Sequence, residues 1–242
     1  MGANIVLIRG LFRGKPHWGP FTEKLRAAFP HKNISPVDIP GCGELSSEIS
    51  PCSIEAMVES IRSQRTFKAN VDIISLSMGG MIALKWAEMY PSEVGSVVCI
   101  NTSTSGFTPF YQRLLPKNYL KILRAFWARP FQRESLIYSM VSNKKRDIDV
   151  VSHWVSIERL HPIRRVNFVR QLLAALRFKV KRPSCRLLFI SSIQDGLVSC
   201  QASQAMAIQW KVALINNQLD GHDIPLDNPD WLCKQLLSWL QD

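Results

Sequence analysis

The chain has 242 residues, of which 46% are hydrophobic, and a formal net charge of +11 at neutral pH, which is enough apolar material for one substantial packed domain. No stretch approaches 18 uninterrupted apolar residues, and the run Ile5-Val6-Leu7-Ile8 is too short for a signal-peptide core and ends at Arg9, so a cytoplasmic protein whose mature chain starts at Met1 is expected. Val6 stands where a myristoylation motif needs Ser or Thr, and the scattered Cys42, Cys52, Cys99, Cys185, Cys200 and Cys233 form neither a Cys-x-x-Cys pair nor a zinc-spaced cluster, so they read as reduced thiols with no metal.

Taken in chain order, residues 4–8 read as a short buried strand, 18–29 as a helix, 33–38 as a strand and 53–67 as a helix. Val71 to Leu76 is a further buried strand. It runs directly into Ser77-Met78-Gly79-Gly80 and a helix whose apolar spacing lasts until Pro91. Val94–Ile100, 186–191 and 211–215 are strand-like, with helices near 199–209 and 229–240. Strand and helix alternate at both ends of the chain. The expected fold is therefore α/β, with a mostly parallel central sheet flanked by helices and ligands beyond the carboxyl ends of its strands.

Residues 106–182 break that rhythm: they are helical in pattern and rich in Trp, Phe and Arg, with Pro109, Pro116, Pro130, Pro162 and Pro183 as punctuation. This segment reads as an inserted helical cap between core portions 1–105 and 183–242. It carries seventeen Lys and Arg against four Asp and Glu, net +13, which leaves the core at −2. No internal repeat, Walker-type loop or Gly-x-Gly-x-x-Gly appears, so no cofactor is implied. Because the charge is confined to an insertion with no helix-turn-helix or finger spacing, no nucleic acid is expected. Its alternative readings are a solvated cap face and a docking surface for an acidic partner.

Ser77 sits at a tight strand-to-helix turn whose flanking positions, Ser75, Gly79 and Gly80, are small. A serine N-cap is the competing reading. A nucleophilic serine needs a histidine to take its proton and a carboxylate to orient that histidine. His222, in Asp220-Gly221-His222-Asp223 after the last strand, is the candidate base. Asp195, which ends Ile190-Ser191-Ser192-Ile193-Gln194-Asp195, is the candidate acid. Asp223 is a weaker candidate, because a residue adjacent to His222 does not easily reach back to its ring, and Asn101-Thr102-Ser103-Thr104-Ser105 offers no carboxylate. His17, His31, His153 and His161 read as surface or packed imidazoles.

The order Ser77, Asp195, His222, each after a successive strand, resembles the α/β-hydrolase superfamily over residues 4–101 and 185–240. Its Gly-x-Ser-x-Gly elbow appears here as Ser75-Leu76-Ser77-Met78-Gly79, with serine in the first glycine's place. The resemblance implies that the backbone N–H groups of Leu11, in Arg9-Gly10-Leu11-Phe12, and of Met78 form an oxyanion hole, with Arg9 where a histidine is usual. Ile39-Pro40-Gly41-Cys42-Gly43 resembles the Pro-Gly-x-Gly turn of small members. What it implies for activity is acyl transfer on a carboxylic ester, or a thioester, through an acyl-enzyme. The basic cap is consistent with a pimeloyl-acyl-carrier-protein methyl ester esterase acting on an acidic carrier, and a non-catalytic binding protein on the same fold is the rival class. Candidate pocket lining comprises Arg9, Phe12, Trp18, Phe107, Trp127 and Trp154, with Phe110, Phe126 and Phe168 as further cap aromatics.

Overall fold

The computed structural model describes residues 4–64, 70–162 and 164–241. Its strands are β1 (Asn4–Ile8), β2 (Asn33–Val37), β3 (Val71–Leu76), β4 (Val94–Ile100), β5 (Arg186–Ser192) and β6 (Ala213–Asn217). Its helices are α1 (Phe21–Ala28), α2 (Ile54–Gln64), α3 (Met78–Met89), α4 (Phe110–Arg113), α5 (Tyr119–Trp127), α6 (Pro130–Val141), α7 (Ile148–Leu160), α8 (Arg165–Arg177), α9 (Cys200–Trp210), α10 (Ile224–Asp227) and α11 (Pro229–Gln241). The strands pair in the order β2-β1-β3-β4-β5-β6, and every pairing is parallel.

The inner strands β1, β3, β4 and β5 are largely apolar and buried because both faces of the sheet are covered there, whereas the edge strands β2 and β6 are more polar and less buried. Successive side chains point to opposite faces: Val6, Ile8, Val97, Cys99, Leu187 and Phe189 join a core against α2, α3 and α9, while Ile5, Leu7, Val98, Ile100, Leu188 and Ile190 join one against α1 and α11. From β1 the chain steps outward to β2, then returns across β1 to place β3 on its other side. That reversal opens a crevice at the carboxyl ends of β1 and β3. Helices α4 to α8 all fall between β4 and β5.

Two boundaries differ from the sequence expectation by two residues or more. Instead of one helix over 18–29, a 3-10 turn over Lys15–Trp18 precedes Gly19 at φ 52°, and α1 begins only after Pro20. The strand expected at 211–215 begins two residues later, because Lys211 adopts a left-handed conformation whose N–H closes the end of α9 on the Ala207 and Ile208 carbonyls. Of the helix expected over 53–67, residues 65–67 lie outside the described residues. Among the described residues no helix is long and apolar enough to cross a membrane, and no group of three or more His, Cys, Asp or Glu could hold a metal ion.

Phe189 is fully buried on β5 and meets Trp210 of α9 with ring centroids 6.0 Å apart. Phe189→Ala should cost about 3–5 kcal/mol in urea unfolding, whereas Ile208→Ala, at a position 73% exposed on the same helix as Trp210, should stay within about 0.5 kcal/mol of the parent.

Candidate active site

Ser77 stands between β3 and α3 at φ 57° and ψ −120°, a conformation that costs a residue bearing a Cβ roughly 1–3 kcal/mol and persists only when its surroundings enforce it. Both of its backbone groups are held. Its N–H donates to the Ile100 carbonyl at 2.8 Å, and its carbonyl accepts from Thr102 Oγ1 at 2.7 Å. The small neighbours are sterically required. A Cβ on Gly79 would stand 2.3 Å from the Ile8 carbonyl oxygen, and one on Gly80 would stand 2.6 Å from Thr102 Oγ1. Ser75 is tolerated two residues earlier because its buried hydroxyl donates to the Val98 carbonyl at 2.8 Å. Ser77 makes no side-chain cap bond to α3, so the N-cap reading does not account for its hydroxyl.

His222 and Asp195 come from loops after β6 and β5 and are both buried. His222 Nδ1 lies 2.7 Å from Asp195 Oδ2. A carboxylate only accepts, so Nδ1 donates in this bond, and in the neutral ring Nε2 is left as the acceptor. The other oxygen, Oδ1, accepts from the N–H groups of Leu197 at 2.7 Å and Val198 at 2.9 Å, which orients the carboxylate.

Three residues that sequence reasoning did not assign hold this loop. Asn101, at the end of β4, donates through Nδ2 to the His222 carbonyl at 2.7 Å, and its Oδ1 accepts from Ser192 N–H at 2.7 Å. Ser192 Oγ donates to the Gly221 carbonyl at 2.8 Å, and Asp227 Oδ2 accepts from Gly221 N–H at 2.7 Å. Asn101 does so at φ 47°, a region that Asn visits more readily than most residues. Its place at a strand end was the only signal in the sequence. The loop also leans on α6: Asp223 N–H donates to the Val141 carbonyl at 2.8 Å, and a Cβ on Gly221 would stand 2.6 Å from that same oxygen.

Ser77 and His222 border one cavity of about 190 Å³, together with Arg9, Gly10, Leu11, Phe12 and Met78. Its opposite wall is apolar and comes from the β4–β5 insertion, with Ile122, Ile137, Met140, Phe168 and Leu172. A Cβ on Gly10 would meet Ser77 Cβ at 3.0 Å, which sets the closeness of the Gly10-Leu11 backbone to the serine. Gln171 of α8 fixes that loop by accepting from Phe12 N–H at 2.9 Å.

Arg9 forms a buried two-point ion pair with Asp223, at 3.1 and 2.5 Å, and its guanidinium lies 4.9 Å from the Trp18 ring centroid. Its charge therefore reaches the cavity already neutralised. Four of the expected lining residues lie elsewhere. Trp18 packs on Phe21 beneath Arg9, and Phe107 packs edge-on against Trp210. Trp127 is 66% exposed on the outer side of α5. Trp154 lies behind Arg13, whose guanidinium is 4.4 Å from its ring and 2.7 Å from the fully buried Glu134. Of the remaining cap aromatics, Phe168 lines the cavity, Phe126 packs on Phe168 beside it, and Phe110 is exposed. His17, packed near Trp154, has its pKa held well below 6.5 by burial and by the Arg13 and Arg9 charges, so it is neutral and donates no charge to the site. Burial likewise pushes the Cys42 thiol up to about 12, away from any nucleophilic role near neutral pH.

In sequence, the biotin biosynthesis bifunctional protein BioHC of Teredinibacter turnerae is 27% identical over 134 residues, 54% of this chain and 21% of that protein. A pimeloyl-[acyl-carrier protein] methyl ester esterase of Neisseria meningitidis is 31% identical over 104 residues, 43% of this chain and 38% of its own. The chain thus spans well under half the length of the curated relatives it matches. Among solved structures, the enol-lactonase from Burkholderia xenovorans superposes with a TM-score of 0.80 at 15% identity, covering 100% of this chain and 92% of the other. A hydrolase from Oleispira antarctica gives 0.79 at 16% identity, with coverage of 100% and 92%. The family model described as "Alpha/beta hydrolase family" matches residues 5–235, nearly the whole length, and the chain belongs to that family.

Proposed function

We propose that the protein is a serine hydrolase cleaving a carboxylic ester, or a thioester, with Ser77 as nucleophile, His222 as general base and acid, and Asp195 as the group that orients the imidazole. The observation that carries this reading is the buried His222–Asp195 bond of 2.7 Å on a cavity that also exposes Ser77 at its left-handed turn. His222 Nε2 takes the Ser77 proton as Oγ bonds to the acyl carbon, and the carbonyl electron pair moves onto oxygen. The N–H groups of Leu11 and Met78 donate to that oxyanion, each contributing about 3 kcal/mol. Met78 N–H is suited to it, since a first-turn N–H has no partner within its helix. When the intermediate collapses, the alcohol leaves with the proton from His222. Water then repeats the sequence on the acyl-enzyme and releases the acid. The apolar wall formed by Ile122, Ile137, Met140, Phe168 and Leu172 supports an aliphatic or aromatic acyl group. In this proposal the insertion, residues 106–182, acts as a cap that excludes water from that group.

A second reading concerns the substrate alone. The relatives named as pimeloyl-[acyl-carrier protein] methyl ester esterases, together with the net +13 of the insertion, support a carrier-linked ester whose acidic carrier docks on the cap. The triad proposal stands without it.

Ser77→Ala should lower kcat on short p-nitrophenyl esters by on the order of 10⁶ and remove labelling by a fluorophosphonate probe; retained turnover would assign the chemistry elsewhere. Asn101→Ala should leave the fold intact and lower kcat by about 10²-fold with little change in KM, because the His222 loop loses its anchor. If an acidic carrier is recognised, its ester should be hydrolysed faster than the matched free ester, and the advantage should shrink with added salt; equal rates at all salt concentrations would leave the free ester as substrate.

A further inference from the structure

The outer side of the insertion is apolar where a solvated face should be polar. Of the seventeen exposed large hydrophobic side chains among the described residues, thirteen lie between Phe110 and Leu176. They are ordered. On α5, Leu120, Leu123 and Trp127 recur at i, i+3 and i+7 with 69%, 58% and 66% exposure, and on α8, Val166, Val169 and Leu173 repeat the same spacing toward solvent. Arg165 of α8 lies over the Trp127 ring at 4.6 Å and joins the two stripes.

The charge on these helices has one sign. Residues 94–133 and 159–194 contain no Asp or Glu, while exposed Lys117, Arg124, Arg129, Arg164 and Arg177 flank the stripes. Helices of this kind, with Trp, Leu and Val on one side and cations beside them, match the composition of segments that lie in the interface of a lipid bilayer. The inner sides of the same helices line the cavity through Ile122, Phe168 and Leu172. Leu176 both borders the cavity and is 43% exposed, so the cavity opens next to this face.

We infer that α5 and α8 dock on an anionic membrane surface, with the cavity mouth beside the bilayer. Charge complementarity selects an anionic occupant, and the ordered apolar stripes select a lipid surface over an acidic protein. A second copy of the chain would bring like-charged faces together, whereas an anionic lipid surface satisfies the cations and buries the apolar stripes at once. The inference is independent of the hydrolytic reading.

The test is co-sedimentation of the full chain with mixed phosphatidylcholine–phosphatidylglycerol vesicles and with pure phosphatidylcholine vesicles, with short-ester turnover followed separately in the same preparations. Binding should favour the mixed vesicles by about tenfold or more and weaken with salt. Leu120→Asp/Leu123→Asp, at exposed positions off the cavity, should abolish it without changing the circular dichroism spectrum or soluble-ester turnover. Lys121→Ser/Arg124→Ser should weaken it by on the order of tenfold. Absence of vesicle binding, or binding unchanged by both double substitutions, would overturn the inference. So would a concentration-dependent dimer broken by Leu120→Asp/Leu123→Asp, or capture of an acidic carrier protein by a chain that ignores both vesicles.

Discussion

The arrangement at the carboxyl edge of the sheet depends on how closely the start of α3 passes over the end of β1. With Gly79 a Cβ short of collision with the Ile8 and Arg9 carbonyls, and Gly80 equally close to Thr102, the helix can begin only one residue after β3. Ser77 absorbs the whole change of direction in its own backbone. The same approach brings Gly10 within contact of the serine, so one steric condition sets both the turn and the neighbouring backbone of Leu11. Larger side chains there would move the helix rather than merely crowd it.

Order at the opposite side of the cavity comes from hydrogen bonds instead of contact. The His222 loop is irregular backbone lying below the surface, and such a segment is stable only if its polar groups find partners. Asn101, Ser192 and Asp227 supply them from β4, β5 and α10, and Asp227 remains buried there although burial raises its pKa, because Ser142, Gly221 and Asn143 all donate to it. Ser142 and Asn143 follow α6, so the insertion and the His222 loop share one polar cluster. A displacement of α6 would therefore be felt at His222.

This division explains what the sequence disclosed. Strand periodicity and chain order are enough to nominate Ser77, Asp195 and His222, because they follow the ends of β3, β5 and β6 by one, three and five residues. The helical insertion was equally legible from its proline punctuation and charge. Asn101 and Asp227 were not, since what they bond depends on which carbonyls and N–H groups two remote loops bring near. The aromatic residues were ambiguous for another reason: a cavity wall, a core and an exposed face draw on the same side chains. Phe168 lines the cavity while Trp18, Phe107 and Trp154 support it from behind and Trp127 faces outward. The two-residue shift of β6 followed from the left-handed Lys211, a position with no glycine to announce it.

The Arg9–Asp223 pair links positions 214 apart in the chain. A guanidinium is too costly to bury without its counter-charge, so the end of the first strand cannot reach its final environment until residue 223 has been made. During synthesis the amino-terminal part of the sheet can pair and pack, yet Arg9 must stay hydrated until the loop after β6 arrives. Closure of this ion pair thus couples synthesis of the His222 loop to maturation of the cavity, and a product truncated before residue 223 retains an open, charged edge.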